Sequence, residues 1–197
     1  MNDPMKCYVN QNERLAEELR LELQDTQWPF NGTDHERTVA RAIVFDDEGF
    51  FYFVRVDRDD EFGCCRLIES SGGGAEAGEE PADAVRRELR EELGAEVELI
   101  CKLGTVNDHY NLIRRRNLNH YFLCRVLSFG EKKLTEDEKS RFRLSTLKLC
   151  YEDAAREYER CSRSKLGALI AARELPVLRR AKELLDIGIA GPFPNMK

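Results

Sequence analysis

A glycine-rich turn followed by a helix crowded with glutamates constrains this chain more than any other segment. The segment covers residues 73–95 and reads GGAEAGEEPADAVRRELREELGA. At 100° per residue, Glu88, Glu91 and Glu92 fall on one side of the helix, where close like charges cost a few tenths of a kcal/mol per pair. A solvated acidic face usually pairs Glu with Lys or Arg four residues on, whereas Glu88 here meets Glu92. Carboxylates are ligands that hard divalent cations prefer, so the crowding predicts a metal site.

The spacing of the charged and glycine positions is specific. Gly73 is followed by five residues, then Glu79, then seven residues, and then residues 87–95, which read RELREELGA. This pattern resembles the signature box of the Nudix hydrolases, and every charged and glycine position is matched. Ala95 stands where a larger aliphatic residue is usual. Residues 70–73 read SSGG, where many members have an aliphatic residue, Pro, Gly and Gly.

The resemblance implies a fold and a reaction. The expected fold is α/β, a Nudix-type α/β/α sandwich with a mixed β-sheet, in which the box forms a loop, a helix and a loop. The expected reaction is metal-dependent hydrolysis of a pyrophosphate bond in a nucleoside diphosphate linked to another group, with Mg²⁺ or Mn²⁺ as the cofactor.

The resemblance also implies roles for residues of the box. Glu88, Glu91 and Glu92 become metal ligands and catalytic residues, and the backbone carbonyl of Gly73 joins the ligand set. Arg87 is expected to orient the carboxylates, and Glu79 to pair with Arg87 and fix the loop.

The general base stays open between two places. Glu88 is the candidate within the box, because a carboxylate can accept the proton of an attacking water. Some family members take the base from a later loop, and Glu136 or Glu138 in the segment LTEDEK would serve there.

Substrate contacts are expected from arginines, whose guanidinium fork suits phosphate oxygens. The candidates are Arg55 at the end of a strand and the arginines of the basic run 114–116, with Arg55 and Arg114 preferred. Strand aromatics such as Phe53 and Tyr121 are more often core residues than base-stacking residues.

Periodicity predicts the remaining organisation. Leu15, Leu19 and Leu23 form one stripe of a helix over residues 11–23. Strands are expected near residues 38–45, 50–56, 65–68, 97–106, 119–129 and 144–149, with residues 72–74 and 114–116 in loops. Helices follow from residue 151, which Pro176 is expected to divide or kink. We therefore expect a helical extension (1–35), a Nudix domain (36–150) and C-terminal helices packed on it (151–197).

The composition of the chain limits which classes of binding partner and which cellular compartment are expected. The formal charge of −6 argues against nucleic-acid binding, and no apolar run reaches the roughly 20 residues needed to span a bilayer. Seven cysteines, an odd number without a Cys-x-x-Cys pair or a secretory leader, predict reduced thiols and a cytoplasmic protein. The expected partner is a small nucleotide derivative, and a homodimer is an open alternative.

Two other functions stay open at this stage. One is a domain that senses a nucleotide without turnover, which a degenerate box would favour. The other is an isoprenoid diphosphate isomerase-like enzyme, for which Cys64, Cys65 or Cys101 would have to act with a glutamate. The box is expected to bind the metal and the phosphates rather than the base or the sugar. It therefore does not distinguish nucleoside triphosphates from ADP-sugars as substrates.

Overall fold

A computed structural model describes residues 17–191, which form one mixed sheet with helices on both faces. The strands are β1 (Leu19–Leu23), β2 (His35–Phe45), β3 (Phe51–Asp60), β4 (Gly63–Glu69), β5 (Ser71–Gly74), β6 (Ala95–Tyr110), β7 (Arg115–Phe129) and β8 (Ser145–Leu149). The helices are α1 (Pro81–Glu92), α2 (Tyr151–Cys161) and α3 (Lys165–Asp186).

Strand β2 is the centre of the sheet. The main strand order is β1-β6-β7-β2-β3-β4, with β5 paired to β2 and β8 paired to β3. The pairs β1–β6 and β2–β7 are parallel, and the other pairs are antiparallel. Strand β3 contacts β2 only near their shared turn, so β5 takes the other part of the same β2 edge.

Both faces of β2 are buried, as expected for a strand with a nearly continuous apolar run. Ile43 and Phe45 face a core shared with α2 and α3. Ala42 and Val44 face a second core shared with α1. The predicted α/β fold with a mixed sheet and flanking helices is therefore confirmed. The division into an extension, a domain and C-terminal helices stays a prediction.

The predicted N-terminal helix is wrong where the structure describes it. Residues 19–23 form β1, which pairs in parallel with residues 104–108 of β6, and residues 11–16 lie outside the described part of the chain. Leu19, Leu21 and Leu23 alternate with polar residues and pack against the core. This period of two suits an edge strand, and the open edge of β6 decides between it and the helical spacing.

The predicted glycine loop is also wrong, because residues 72–74 belong to β5. Gly72 has φ +141°, and a Cβ built on it would lie 2.1 Å from the carbonyl oxygen of Ala40. Glycine therefore lets β5 lie against β2 at a separation and in a conformation that another residue would not tolerate.

Two further boundaries differ from the sequence-based expectation. Arg115 and Arg116 begin β7, and only a short 3₁₀ turn at 111–113 and Arg114 separate it from β6. The C-terminal helices are divided at residues 162–164, and α3 continues through Pro176. Among residues 17–191, no helix has both the length and the apolarity needed to cross a bilayer.

Gly72→Ala should lower the free energy of unfolding by at least about 3 kcal/mol, because a methyl group collides with the β2 backbone. Gly78→Ala is the matched control: Gly78 also has a positive φ (+78°), but nothing would lie within 4 Å of a Cβ at that position. The control should lose only about 1–2 kcal/mol. Urea unfolding measures both; equal losses would contradict the close approach of β5 and β2.

Candidate functional site

The helix α1 carries the site because its sequence buries acidic residues beside an apolar stripe. Pro81 occupies the first helical turn, where its missing N–H costs nothing. Val85 and Leu89 are fully buried against the sheet. Glu88 and Glu92 lie together along one side of that stripe and are only 9% and 7% exposed. The helix therefore holds two carboxylates largely out of water.

Glu92 is fixed by β5, the glycine strand (Ser71–Gly74). Its Oε2 accepts hydrogen bonds from the Ser71 hydroxyl at 2.6 Å and from the Gly72 N–H at 2.9 Å. Burial raises the pKa of Glu92 to about 7, although both hydrogen bonds and Arg41 act against the shift. The serine that departs from the usual approach to the box thus supports a carboxylate.

Glu88 lies against the backbone of Gly73. A Cβ on Gly73 would lie 2.4 Å from Oε1 and 2.7 Å from Oε2 of Glu88, so only glycine leaves room for the carboxylate. Burial raises the pKa of Glu88, and the nearby charges of Glu91 and Glu138 act in the same direction, while Arg87 opposes them. The predicted ligands Gly73, Glu88 and Glu92 are therefore neighbours.

Arg87 joins the loop to the helix. Its Nε and Nη2 donate to the two oxygens of Glu79, each at 3.0 Å, and Nη2 also donates to the Gly74 carbonyl at 3.1 Å. Its Nη1 donates to Glu88 at 2.9 Å and to Glu91 at 3.2 Å. Hydrogen bonding to Glu79 is the main reason that the pKa of Arg87 is raised, and the pKa of Glu79 is lowered in return.

A cavity of about 340 Å³ opens beside these groups. Its carboxylates and its guanidinium groups come from distant parts of the chain, and apolar, aromatic, glycine and uncharged polar residues complete the lining. The charged lining residues are Glu69, Glu88, Glu92, Glu138, Arg37, Arg41, Arg58, Arg115 and Arg173.

Not every predicted site residue reaches this cavity. Glu138 lines it, whereas the exposed Glu136 does not. Glu91 lies beside the cavity, 37% exposed and paired with Arg87. Arg55 and Arg114 are not lining residues.

The two arginines lie elsewhere for simple reasons. Arg55 alternates with Val54 and Val56, which do line the cavity, so it lies on the other side of β3. Arg114 is half-exposed and forms an ion pair with Asp34 at 2.6 Å.

The sequence pattern did not single out the cavity arginines of β2, whereas Arg115 of β7 was among the arginines of the basic run that it named. Arg37, Val39 and Arg41 occupy alternate positions of β2 and all line the cavity. A period of two with arginine at both ends of the repeat is the signal that could have found them. Arg115 belongs to the same basic run as Arg114 and directly follows it.

A buried polar network lies behind the cavity. Arg173 of α3 is 1% exposed and contacts Asp108 at 3.0 Å, Glu174 at 2.9 Å and Glu69 at 3.2 Å. Burial alone would raise the pKa of Glu69, but Arg41 and Arg173 bring it below its ordinary value. The network ties the C-terminal helix to the strand that precedes the glycine run.

Arg41 extends this network to the site. It lies 3.4 Å from Glu69 and donates to the Ser70 carbonyl at 3.0 Å. Ser70 precedes Ser71, the residue that holds Glu92. The position of Glu92 therefore depends on contacts that reach as far as α3.

The donor set suits a hard divalent ion, since its side-chain and carbonyl donors are all oxygens and Gly73 leaves space next to Glu88. No three Asp, Glu, His or Cys side chains within residues 17–191 converge into a closed metal centre. Glu92 is instead turned to Ser71 and Gly72, and Glu88 and Glu91 to Arg87. Small rotations of these side chains would be needed for shared coordination.

The raised pKa of Glu92 predicts a pH dependence of stability. Its folded pKa of about 7 exceeds the ordinary value of 4.5, so protonated Glu92 stabilises the fold below about pH 4.5, and this contribution is lost as pH rises to about 7. With chelator present, the unfolding free energy of wild type minus that of Glu92→Gln should fall by up to about 3 kcal/mol over this range. Denaturant unfolding at several pH values measures it; a difference independent of pH would contradict a desolvated carboxylate.

Comparison with known proteins agrees with this geometry. A family model described as NUDIX domain matches residues 35–162. A NUDIX hydrolase from Nitrosomonas europaea superimposes with a TM-score of 0.57 and 16% identity, over 82% of this chain and 96% of that one. The E. coli ORF135 protein gives 0.52 and 20%, over 81% and 97%. At such identities the two structures show a shared fold.

No curated protein matches the chain at a significant level. The family match therefore carries the assignment. Nudix enzymes generally use divalent metal ions, and the match supports hydrolysis of a pyrophosphate-type bond in general. Because the matched region extends over more than half of the chain, this protein belongs to the Nudix family.

Proposed function

We propose that this protein is a pyrophosphohydrolase that uses Mg²⁺, or Mn²⁺, to cleave a pyrophosphate bond in a nucleoside diphosphate linked to another group. The products would be a nucleoside monophosphate and either a phosphorylated partner or pyrophosphate. One observation carries the proposal: two desolvated carboxylates, Glu88 and Glu92, lie against a glycine backbone in a cavity that arginines also line.

The residues that would hold the ion are Glu88, Glu91 and Glu92, with the carbonyl of Gly73. When bound, a divalent ion supplies charge neutralisation for the pyrophosphate and lowers the pKa of a water. Arg87 keeps Glu88 and Glu91 on the same side of α1 through its two contacts. Ser71 and Gly72 hold Glu92 at the cavity wall.

Two carboxylates are suited to accept a proton from the attacking water. Glu88 has a raised pKa, which brings it nearer to neutral pH, as general base catalysis favours. Glu138 lines the same cavity from a short π-helical segment (Asp137–Arg141) that precedes β8. Of the two later-loop candidates, Glu138 is therefore preferred over Glu136.

The alternatives are less well supported. A nucleotide sensor without turnover would not need the complete set of acidic box residues. An isomerase-like enzyme would need a thiol in the cavity, and no described cysteine lines it. Burial also raises the pKa of Cys65 and of Cys101, which disfavours a reactive thiolate.

We retain the expected context of this activity as part of the proposal. The partner is a small nucleotide derivative, without a nucleic-acid or membrane partner, and the location is cytoplasmic. A homodimer stays an open alternative.

Glu92→Gln and Glu91→Gln should each lower turnover by at least about 10²-fold, since each removes a ligand from the charge-stabilising set. Turnover is measured on a panel of nucleoside triphosphates, dinucleotides and nucleotide sugars with Mg²⁺, with products identified by mass. Glu96→Gln is the control: Glu96 is exposed, pairs with Arg90 at 2.6 Å and lies outside the cavity. Near wild-type rates for either test variant would contradict the metal assignment.

Removal of divalent metal by a chelator should abolish product release, and Mg²⁺ should restore it. Activity that persists with chelator would contradict the mechanism. A folded wild-type protein that releases nothing from the whole panel would favour the sensor instead.

A further inference from the structure

The five cavity arginines differ in whether a carboxylate neutralises them. Arg58 pairs with Asp60 at 2.6 Å. Arg41 lies 3.4 Å from Glu69, and Arg173 contacts three carboxylates. These three guanidinium groups are therefore part of the protein's own ion-pair structure.

Arg37 and Arg115 have no such partner. Within residues 17–191, no carboxylate lies within ion-pair distance of either side chain. The Nε of Arg115 is buried without a hydrogen-bond partner, and its guanidinium lies over the ring of Tyr110 at 5.5 Å. A buried donor without an acceptor is costly, and the described part of the fold supplies no acceptor for this nitrogen. A bound ligand could supply one.

The two arginines are close to each other in the sheet. Strands β2 and β7 are hydrogen-bonded neighbours, and Arg37 is paired with Asn117, two residues beyond Arg115. Burial lowers the pKa of Arg115, and the charge of Arg37 lowers it further. Two like charges at one wall of a cavity are stabilised by an anion between or beside them.

This pair adjoins the carboxylates proposed to hold the metal. A Cβ on Gly74 would lie 2.5 Å from the Nε of Arg37, and a Cβ on Gly73 would touch Glu88. Gly73 and Gly74 are consecutive residues of β5, so Glu88 and Arg37 lie next to each other along this strand. A polyanion held at Glu88 and Glu92 through a metal ion would therefore have Arg37 as a neighbour along β5.

We infer that Arg37 and Arg115 form an anion subsite for a phosphate next to the scissile pyrophosphate bond, so that the substrate is a nucleoside triphosphate rather than an ADP-sugar. The inference rests on the proposed pyrophosphohydrolase function for the reaction, and on the two arginines alone for the anion. A neutral sugar would leave both guanidinium groups without a counter-charge, whereas a third phosphate accepts from both forks.

The subsite is tested first by binding, without turnover. Inorganic triphosphate is titrated calorimetrically into the protein with chelator present, so that no metal bridges protein and anion. Wild type should bind it, and Arg37→Gln and Arg115→Gln should each bind at least about 10-fold more weakly, as for loss of one charge-assisted hydrogen bond. No binding by wild type, or equal binding by the variants, would overturn the subsite.

Arg116→Gln is the matched control. Arg116 follows Arg115 in β7, is 41% exposed and pairs with Glu36 at 3.2 Å. The Arg116→Gln variant should bind triphosphate as wild type does. An equal loss of affinity in this control would mean that net charge alone explains the effect, and it would overturn the subsite. Arg115→Lys, which keeps the charge and loses the fork, should bind with intermediate strength, and unchanged melting temperatures show that the variants fold.

Turnover tests the substrate assignment separately. Arg115→Gln should lower kcat/KM for a nucleoside triphosphate at least about 10-fold and leave that for an ADP-sugar within about 2-fold. An ADP-sugar cleaved faster than any triphosphate by wild type would overturn the assignment. If wild type cleaves no nucleotide, the proposed function fails, while the binding result still decides the anion subsite.

Discussion

The hydrogen bonds from Ser71 and Gly72 to Glu92 are the contact on which the rest of the site depends. They join the box helix α1 to the glycine strand β5, and β5 is itself paired with the central strand β2. Beside this contact, Glu88 lies against Gly73, and these residues together form one wall of the cavity. The cost of burying the Glu92 carboxylate is visible in its pKa of about 7, and a bound cation would offset that cost.

The site is held from both sides of the sheet. On one side, Arg87 links Glu79, the Gly74 carbonyl and the acidic face of α1. On the other side, Arg173 of α3 reaches Glu69 and Asp108 from within the core. An arginine buried in this way requires its full set of carboxylate partners, so the C-terminal helix is part of the scaffold of the candidate site.

Local sequence signals predicted the elements whose stability is local. The β2–β3 hairpin, the start of α1 at Pro81 and the strand β8 followed from turn residues and apolar runs, and the structure contains them. The strand β1 did not follow from such signals, because its leucines satisfy both a helical and a strand period. Only the free edge of β6 decides between a helix and a strand there. The spacing of the box predicted that Glu88, Glu91 and Glu92 share one side of a helix, and their joint binding of a metal stays a prediction. Arg37, Arg115 and Arg173 instead converge through pairings between distant segments, which spacing in one sequence does not encode.

The central claim is that Glu88 and Glu92 are kept out of water in order to bind a divalent cation. A crystal soaked in Mn²⁺ and measured at a wavelength where manganese scatters anomalously tests this most directly. The account predicts an anomalous peak within coordination distance of both carboxylates, beside the Gly73 carbonyl. A fully soaked crystal with no peak there, or with manganese bound only elsewhere on the protein, would contradict it.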